Sequence, residues 1–126
     1  MAVRVALIGA NGHGLWHRRQ IAASSHTLVA LCDVAPVTDP ELHPGVPVYT
    51  DHTTMLAEQR PDIVIVVTPP PTHRPIAIDA LRAGADVLLE KPPVLTLAEH
   101  EDLSRVLEEA GRRIQVGFQA LGSAAL

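Results

Sequence analysis

Lys91 is the only lysine in a chain of 126 residues whose other fixed cations are nine arginines. A lysine ammonium can give up and take back a proton, whereas a guanidinium stays charged. Lys91 follows Glu90 at the end of the apolar run Asp86–Leu89 and precedes Pro92 and Pro93. Gly9-Ala10-Asn11-Gly12-His13-Gly14 offers a second kind of chemistry, because it joins the apolar run Val3–Ile8 to a helically spaced stretch from Leu15 to Ala23. A glycine turn in that setting brings backbone close to a pyrophosphate and points helix N–H groups at it. Gly9 permits the tight turn and Gly14 permits close packing of helix on strand. Asn11 replaces the middle glycine of the usual spacing; Asn tolerates left-handed backbone better than most residues, and Gly12 offers the close approach one position later. Asp33, 24 positions after Gly9, ends the run Leu28–Cys32, where a carboxylate can accept from both hydroxyls of an adenine ribose. The plainer duties remain open: a strand-to-helix turn for the glycines and a turn cap for Asp33.

A 2′-phosphate would meet the charge of Asp33, and Val34, Ala35 and Pro36 bring no arginine to offset it, so NAD is expected in preference to NADP. Thr68-Pro69-Pro70-Pro71-Thr72-His73 leaves a β-branched run, Ile63–Val67, and should border the same cofactor as a stiff wall. Thr72 suits the N-cap of the following helix, while His73 reads equally as a ligand contact or as a first-turn surface histidine. Glu90 and Lys91 leave the next strand at the same edge of the sheet. Adjacent residues on a strand face opposite sides, so Glu90 should point away from Lys91 while still bordering the cofactor site. His13 and His17 stand four apart as metal ligands on a helix do, but Gly14 occupies the place of a zinc protease's glutamate, and no metal is expected.

These residues need elements that bring them to one rim. Val3–Ile8, Leu28–Cys32, a short stretch near Val48, Ile63–Val67, Asp86–Leu89 and Ile114–Phe118 read as strands. Between them, helices are expected over Leu15–Ala23, Thr54–Gln59, from Thr72 to Gly84, and from the capping box Thr96-Leu97-Ala98-Glu99 to Gly111. The connection with Pro36, Pro40, Pro44 and Pro47 reads as surface loop. Strands alternating with helices predict one α/β domain, a doubly wound parallel sheet of about six strands in the order 3-2-1-4-5-6, with ligands bound where the order reverses.

Composition removes other classes. A net charge of −4 lacks the surplus cations that nucleic acid or an anionic membrane requires. No apolar stretch nears the ~20 residues of a membrane span. The single cysteine, Cys32, sits in an apolar run and permits no intrachain disulfide, which suits a reducing cytoplasm.

Taken together, Val5-Ala6-Leu7-Ile8-Gly9 with its turn, Asp33, Thr68-Pro69 with His73, Ala80-Leu81-Arg82-Ala83-Gly84 and above all Glu90-Lys91-Pro92 resemble the N-terminal domain of the Gfo/Idh/MocA oxidoreductase family, over nearly the whole chain. The resemblance implies a Rossmann domain over residues 1–119 and an NAD(P)-dependent dehydrogenase acting on a sugar, polyol or related carbonyl compound. It also makes Lys91 the active-site lysine and implies a cis peptide between Lys91 and Pro92. Asn11 in place of glycine and Pro70 in place of asparagine depart from the family pattern. Family members continue into a substrate-binding domain, so residues 120–126 read as the start of that connection and the 126 residues alone as inactive. The apolar end, Ala120–Leu126, is expected to favour self-association into a homo-oligomer. A stand-alone NAD(H)-binding or redox-sensing module without catalysis is the competing reading, together with a purely structural domain.

Overall fold

The computed structural model describes residues 3–91 and 93–117. The Lys91–Pro92 peptide, Phe118 and the connection at 119–126 lie outside the described residues. The chain runs β1 (Arg4–Ile8), α1 (His13–Ala22), β2 (Thr27–Cys32), β3 (Val48–Tyr49), α2 (His52–Gln59), β4 (Ile63–Val66), α3 (His73–Arg82), β5 (Asp86–Leu89), α4 (Leu97–Ala110) and β6 (Ile114–Val116). All strand pairs are parallel, in the order β3-β2-β1-β4-β5-β6. The order therefore reverses between β1 and β4, as the alternation of strands and helices predicts.

Burial follows the β-branched pattern. Val64, Ile65 and Val66 of β4 are fully buried, because a central parallel strand is covered on both faces. One face of the sheet meets α2, α3 and α4 through Ala6, Val64, Val66, Ala77, Leu89 and Val106. The other carries Val5, Leu7, Leu31, Ile65 and Leu88, and Ile21 of α1 covers it. Right-handed crossovers impose this division, since connections leading one way from β1 land on one face and those leading the other way on the opposite face.

Several local readings need correction. α1 begins at His13, two residues before the expected Leu15. α2 begins at His52, two residues before the expected Thr54, because the Asp51 carboxylate accepts from the Thr53 amide at 3.1 Å and starts the helix there. Thr72 precedes α3, but its hydroxyl does not cap the helix: it donates to the Pro69 carbonyl and pairs with the Thr68 hydroxyl, both at 2.6 Å. The proline-rich connection is not loop throughout, since Pro40–Leu42 forms a short 3₁₀ turn. At α4 the Thr96 hydroxyl accepts from the Glu99 amide as a capping box requires, while the Glu99 carboxylate reaches the amide of Leu95 rather than of Thr96.

Cys32 is buried, and burial, followed by the charges of Asp33 and Asp51, pushes its thiol up to about 11. Only the thiolate alkylates readily. Iodoacetamide at pH 8 is therefore expected to leave Cys32 intact in the folded chain and to modify it in urea, as followed by mass; equal rates in both would contradict this burial. Among the described residues, no helix is long and apolar enough to cross a membrane, and no cluster of His, Cys, Asp and Glu could hold a metal ion.

Candidate functional site

The glycine turn owes its shape to two close approaches. Gly9 has φ +95°, and a Cβ there would lie 2.6 Å from the Val67 carbonyl oxygen. A Cβ at Gly14 would lie 1.8 Å from the Gly9 carbonyl oxygen. Backbone thus fills both places, and α1 can start directly against the end of β1. Gly12 is different: it has φ +61°, and a Cβ on it would meet nothing within 4 Å. The N-terminus of α1 carries no side-chain cap and no acidic residue in its first turn. Gly12 lies exposed there, at the positive end of the helix dipole.

The positive φ falls on Gly12, so Asn11 does not supply the left-handed backbone that its type suggested. Its side chain works instead. The Asn11 amide donates to the Pro36 carbonyl at 3.0 Å, and its oxygen accepts from the Thr38 amide at 2.9 Å and the Thr38 hydroxyl at 3.1 Å. Arg18, completely buried, donates to the Thr38 and Asp39 carbonyls at 2.7 and 2.8 Å. Two side chains from the glycine turn and α1 therefore tie down the loop that follows Asp33.

Asp33 leaves β2 beside this turn. Its Oδ2 accepts from the Ala10 amide at 2.9 Å and the Asn11 amide at 3.3 Å, and its Oδ1 accepts from the Ala35 amide at 3.0 Å. The turn-capping duty is real, yet an ionised carboxylate has about four lone-pair sites, which leaves room for a hydroxyl donor.

Asp33, Gly9, Asn11, Thr68 and Pro69 line one cavity of about 420 Å³ at the switch point, with Val34, Thr50, His52 and Val67. Pocket volumes that hold small ligands run from about 300 to 1,000 Å³. Gly12 and His13 are exposed at the mouth of α1, while Gly14 is buried beneath it. Pro70 opens a 3₁₀ turn, Pro70–Thr72, and does not line this cavity. His73 is buried, with Nε2 donating to the Thr68 carbonyl at 2.6 Å, so the surface-histidine reading fails: the ring braces the wall from behind.

Glu90 and Lys91 follow β5 at the same end of the sheet. The Glu90 amide donates to the Val66 carbonyl at 3.0 Å, and its carboxylate turns inward to stand 3.5 Å from Nε2 of His17 on α1. Lys91 is exposed. Lys91 thus leaves β5 at the same end of the sheet at which the glycine turn leaves β1, and neither it nor Glu90 lines the cavity.

Thr50 and His52 were not picked out from sequence. His52 pairs with Asp79 of α3 at 2.8 Å and faces the cavity because α2 starts immediately after β3. The usable signal was Asp51, a helix cap at the carboxyl end of a strand.

The residues present fit a dinucleotide: an acid with room for a ribose hydroxyl, an exposed glycine at an uncapped helix start, and a cavity beside both. The sequence matches the model of the family GFO_IDH_MocA, "Oxidoreductase family, NAD-binding Rossmann fold", over residues 3–118. Inositol 2-dehydrogenase 4 of Saccharopolyspora erythraea is 34% identical, covering 92% of this chain and 36% of the relative. The scyllo-inositol 2-dehydrogenase (NAD(+)) of Bacillus subtilis is 31% identical, covering 92% and 35%. The crystal structure of myo-inositol 2-dehydrogenase from Lactobacillus plantarum aligns with a TM-score of 0.86 at 27% identity, over 98% of this chain and 38% of that one. The chain thus spans about a third of the length of the curated relatives it matches. With a family match over nearly all of its residues, this chain belongs to the Gfo/Idh/MocA oxidoreductases and is built on their NAD-binding Rossmann fold.

Proposed function

We propose that this chain is the cofactor-binding part of an NAD-dependent dehydrogenase acting on a small polyol, sugar or related hydroxy or carbonyl compound. The observation that carries the reading is the convergence of Asp33, Gly9, Asn11 and Thr68 on one cavity beside the open backbone at Gly12. Relatives named as inositol dehydrogenases support a polyol substrate. The single buried thiol supports a reducing, cytoplasmic setting.

Each residue has a task in this reading. Asp33 takes the ribose hydroxyls, Gly12 and the first turn of α1 hold the pyrophosphate, and Thr68-Pro69 walls the cavity, with His73 bracing it. Bound NAD supplies the hydride acceptor or, reduced, the donor. Lys91 holds the oxygen of the reacting carbon and keeps a proton at Nζ ready for it. The substrate pocket is completed by protein outside these residues.

Titrating the chain with NADH while following the cofactor's fluorescence is expected to give a saturable enhancement; a flat titration would remove the reading. The same titration tests Asp33. Asp33→Ser removes the charge that disfavours a 2′-phosphate, so the ratio of NADPH to NADH affinity is expected to rise by about tenfold or more (~1.4 kcal/mol). NADH affinity itself falls, because the Ala10 and Asn11 amides lose their acceptor as well. An unchanged ratio would mean that Asp33 only caps the turn.

A further inference from the structure

One buried polar pair lies outside the lining of the cavity. His17, on the second turn of α1, is fully buried, and its Nε2 lies 3.5 Å from Oε2 of Glu90, whose side chain is 11% exposed. Neither His17 ring nitrogen nor Glu90 Oε2 has a close hydrogen-bond partner among the described residues. The Trp16 ring stands edge-on to the imidazole with centroids 5.0 Å apart. Burial draws the His17 imidazole towards its neutral form, and the Glu90 carboxylate pulls the other way.

Such a pair is a poor device for stability. Removing an imidazole and a carboxylate from water is costly, a 3.5 Å contact repays little of it, and apolar side chains of similar volume often serve a fold as well or better. Its location gives it another use. α1 begins at the glycine turn, and Glu90 is the residue directly before Lys91. The Glu90 amide is held by Val66 of β4 and its side chain is aimed at α1, so the chain leaves β5 tied on two sides. Lys91 then projects outward from that fixed point.

We infer that His17 and Glu90 form a positioning pair that locks the exit of β5 to the cofactor helix and thereby sets where the Lys91 ammonium stands. The inference deepens the dehydrogenase reading and rests on it for what Lys91 does, but the lock itself is present without cofactor.

The single lysine makes the lock directly measurable. Labelling with ¹⁵N-lysine yields one backbone amide signal, that of Lys91, whose order parameter reports how firmly the exit is held. The cofactor-free wild type is expected to show a rigid value of about 0.85, and the double variant His17→Phe/Glu90→Leu a flexible value below about 0.6 with an undiminished urea midpoint. His17→Phe alone keeps the volume but loses the ring nitrogen that faces Glu90, and should loosen Lys91 as well. His17→Gln, whose amide nitrogen can face Glu90 in its place, should restore the rigid value.

A mere packing role for His17 predicts the reverse, with Phe tolerated and Gln not. If His17→Phe strands the Glu90 charge and fails to fold, the double variant, which buries no charge, decides alone. A Lys91 amide as rigid in the double variant as in wild type overturns the inference, as does rescue by Phe rather than by Gln. Because these measurements need no NADH, a flat NADH titration would remove the dehydrogenase reading while leaving the lock standing, so the two failures are distinguishable.

Discussion

Gly14→Ala is expected to destabilise the chain by about 3–5 kcal/mol, a large part of the 5–15 kcal/mol that holds a typical domain together. The new Cβ would sit 1.8 Å from the Gly9 carbonyl oxygen. Unlike the tip of a long side chain, that oxygen cannot yield: the Gly9 amide donates to the Cys32 carbonyl at 2.8 Å, and Gly9 itself lies against the Val67 carbonyl. Relief therefore requires α1 to withdraw from β1, which breaks the contacts of Ile21 and exposes Arg18 and His17 in their buried places. Urea denaturation should show the midpoint falling and, if α1 detaches separately, a lowered slope. Gly12→Ala is the informative contrast. Its Cβ meets nothing, so the cost is confined to backbone strain at φ +61°, about 1–3 kcal/mol. Its larger effect should appear in NADH titration, because the methyl group would occupy the open space that the proposed reading gives to phosphate. A Gly14→Ala chain as stable as wild type would show that helix and strand are farther apart than described.

Why the sheet could be read from sequence and parts of its rim could not follows from what each pattern encodes. Ile63–Val67 is a β-branched run with no polar interruption, and only a strand covered on both faces uses such a run. The strand order follows from the usual doubly wound arrangement of such alternating elements, and the switch point from strand order. α1 is less transparent. Its buried residues are Gly14, His17, Arg18 and Ile21, a regular helical stripe in which two members are polar. A reading based on apolar residues skips His17 and Arg18 and counts Trp16, which is 37% exposed. Arg18 is buried because the Thr38 and Asp39 carbonyls converge on its guanidinium, and Asp39 reaches that position with φ +48°. No local signal in the sequence announces such a loop. The residue type of Asn11 points to its backbone, but Asn11 matters through its side chain, which holds Pro36 and Thr38 over the turn. Asp33 could be located from sequence; its three amide partners depend on contacts across the sheet edge and could not.

Lys91→Ala, in the complete polypeptide that carries this domain, is expected to lower turnover about a thousandfold (~4 kcal/mol) while changing NADH affinity far less. The asymmetry follows from where the residue stands. The proposed reading gives the phosphates and the adenine ribose to the glycine turn and Asp33, at the ends of β1 and β2, whereas Lys91 follows β5, beyond β4 on the other side of the switch point. In the proposed reading its ammonium meets the substrate oxygen, whose negative charge develops only as hydride moves. Contacts that strengthen in the transition state appear in turnover rather than in binding. Lys91→Arg sharpens the test. A guanidinium preserves the charge but does not give up its proton, so a variant that only needed a cation would recover most activity, and one that needed proton transfer would not. The second outcome is expected. The comparison requires kcat and KM for the polyol substrate together with the NADH dissociation constant, measured on wild type and both variants. Turnover within threefold of wild type in Lys91→Ala would remove Lys91 from the chemistry and leave the lysine no role beyond the rim it occupies.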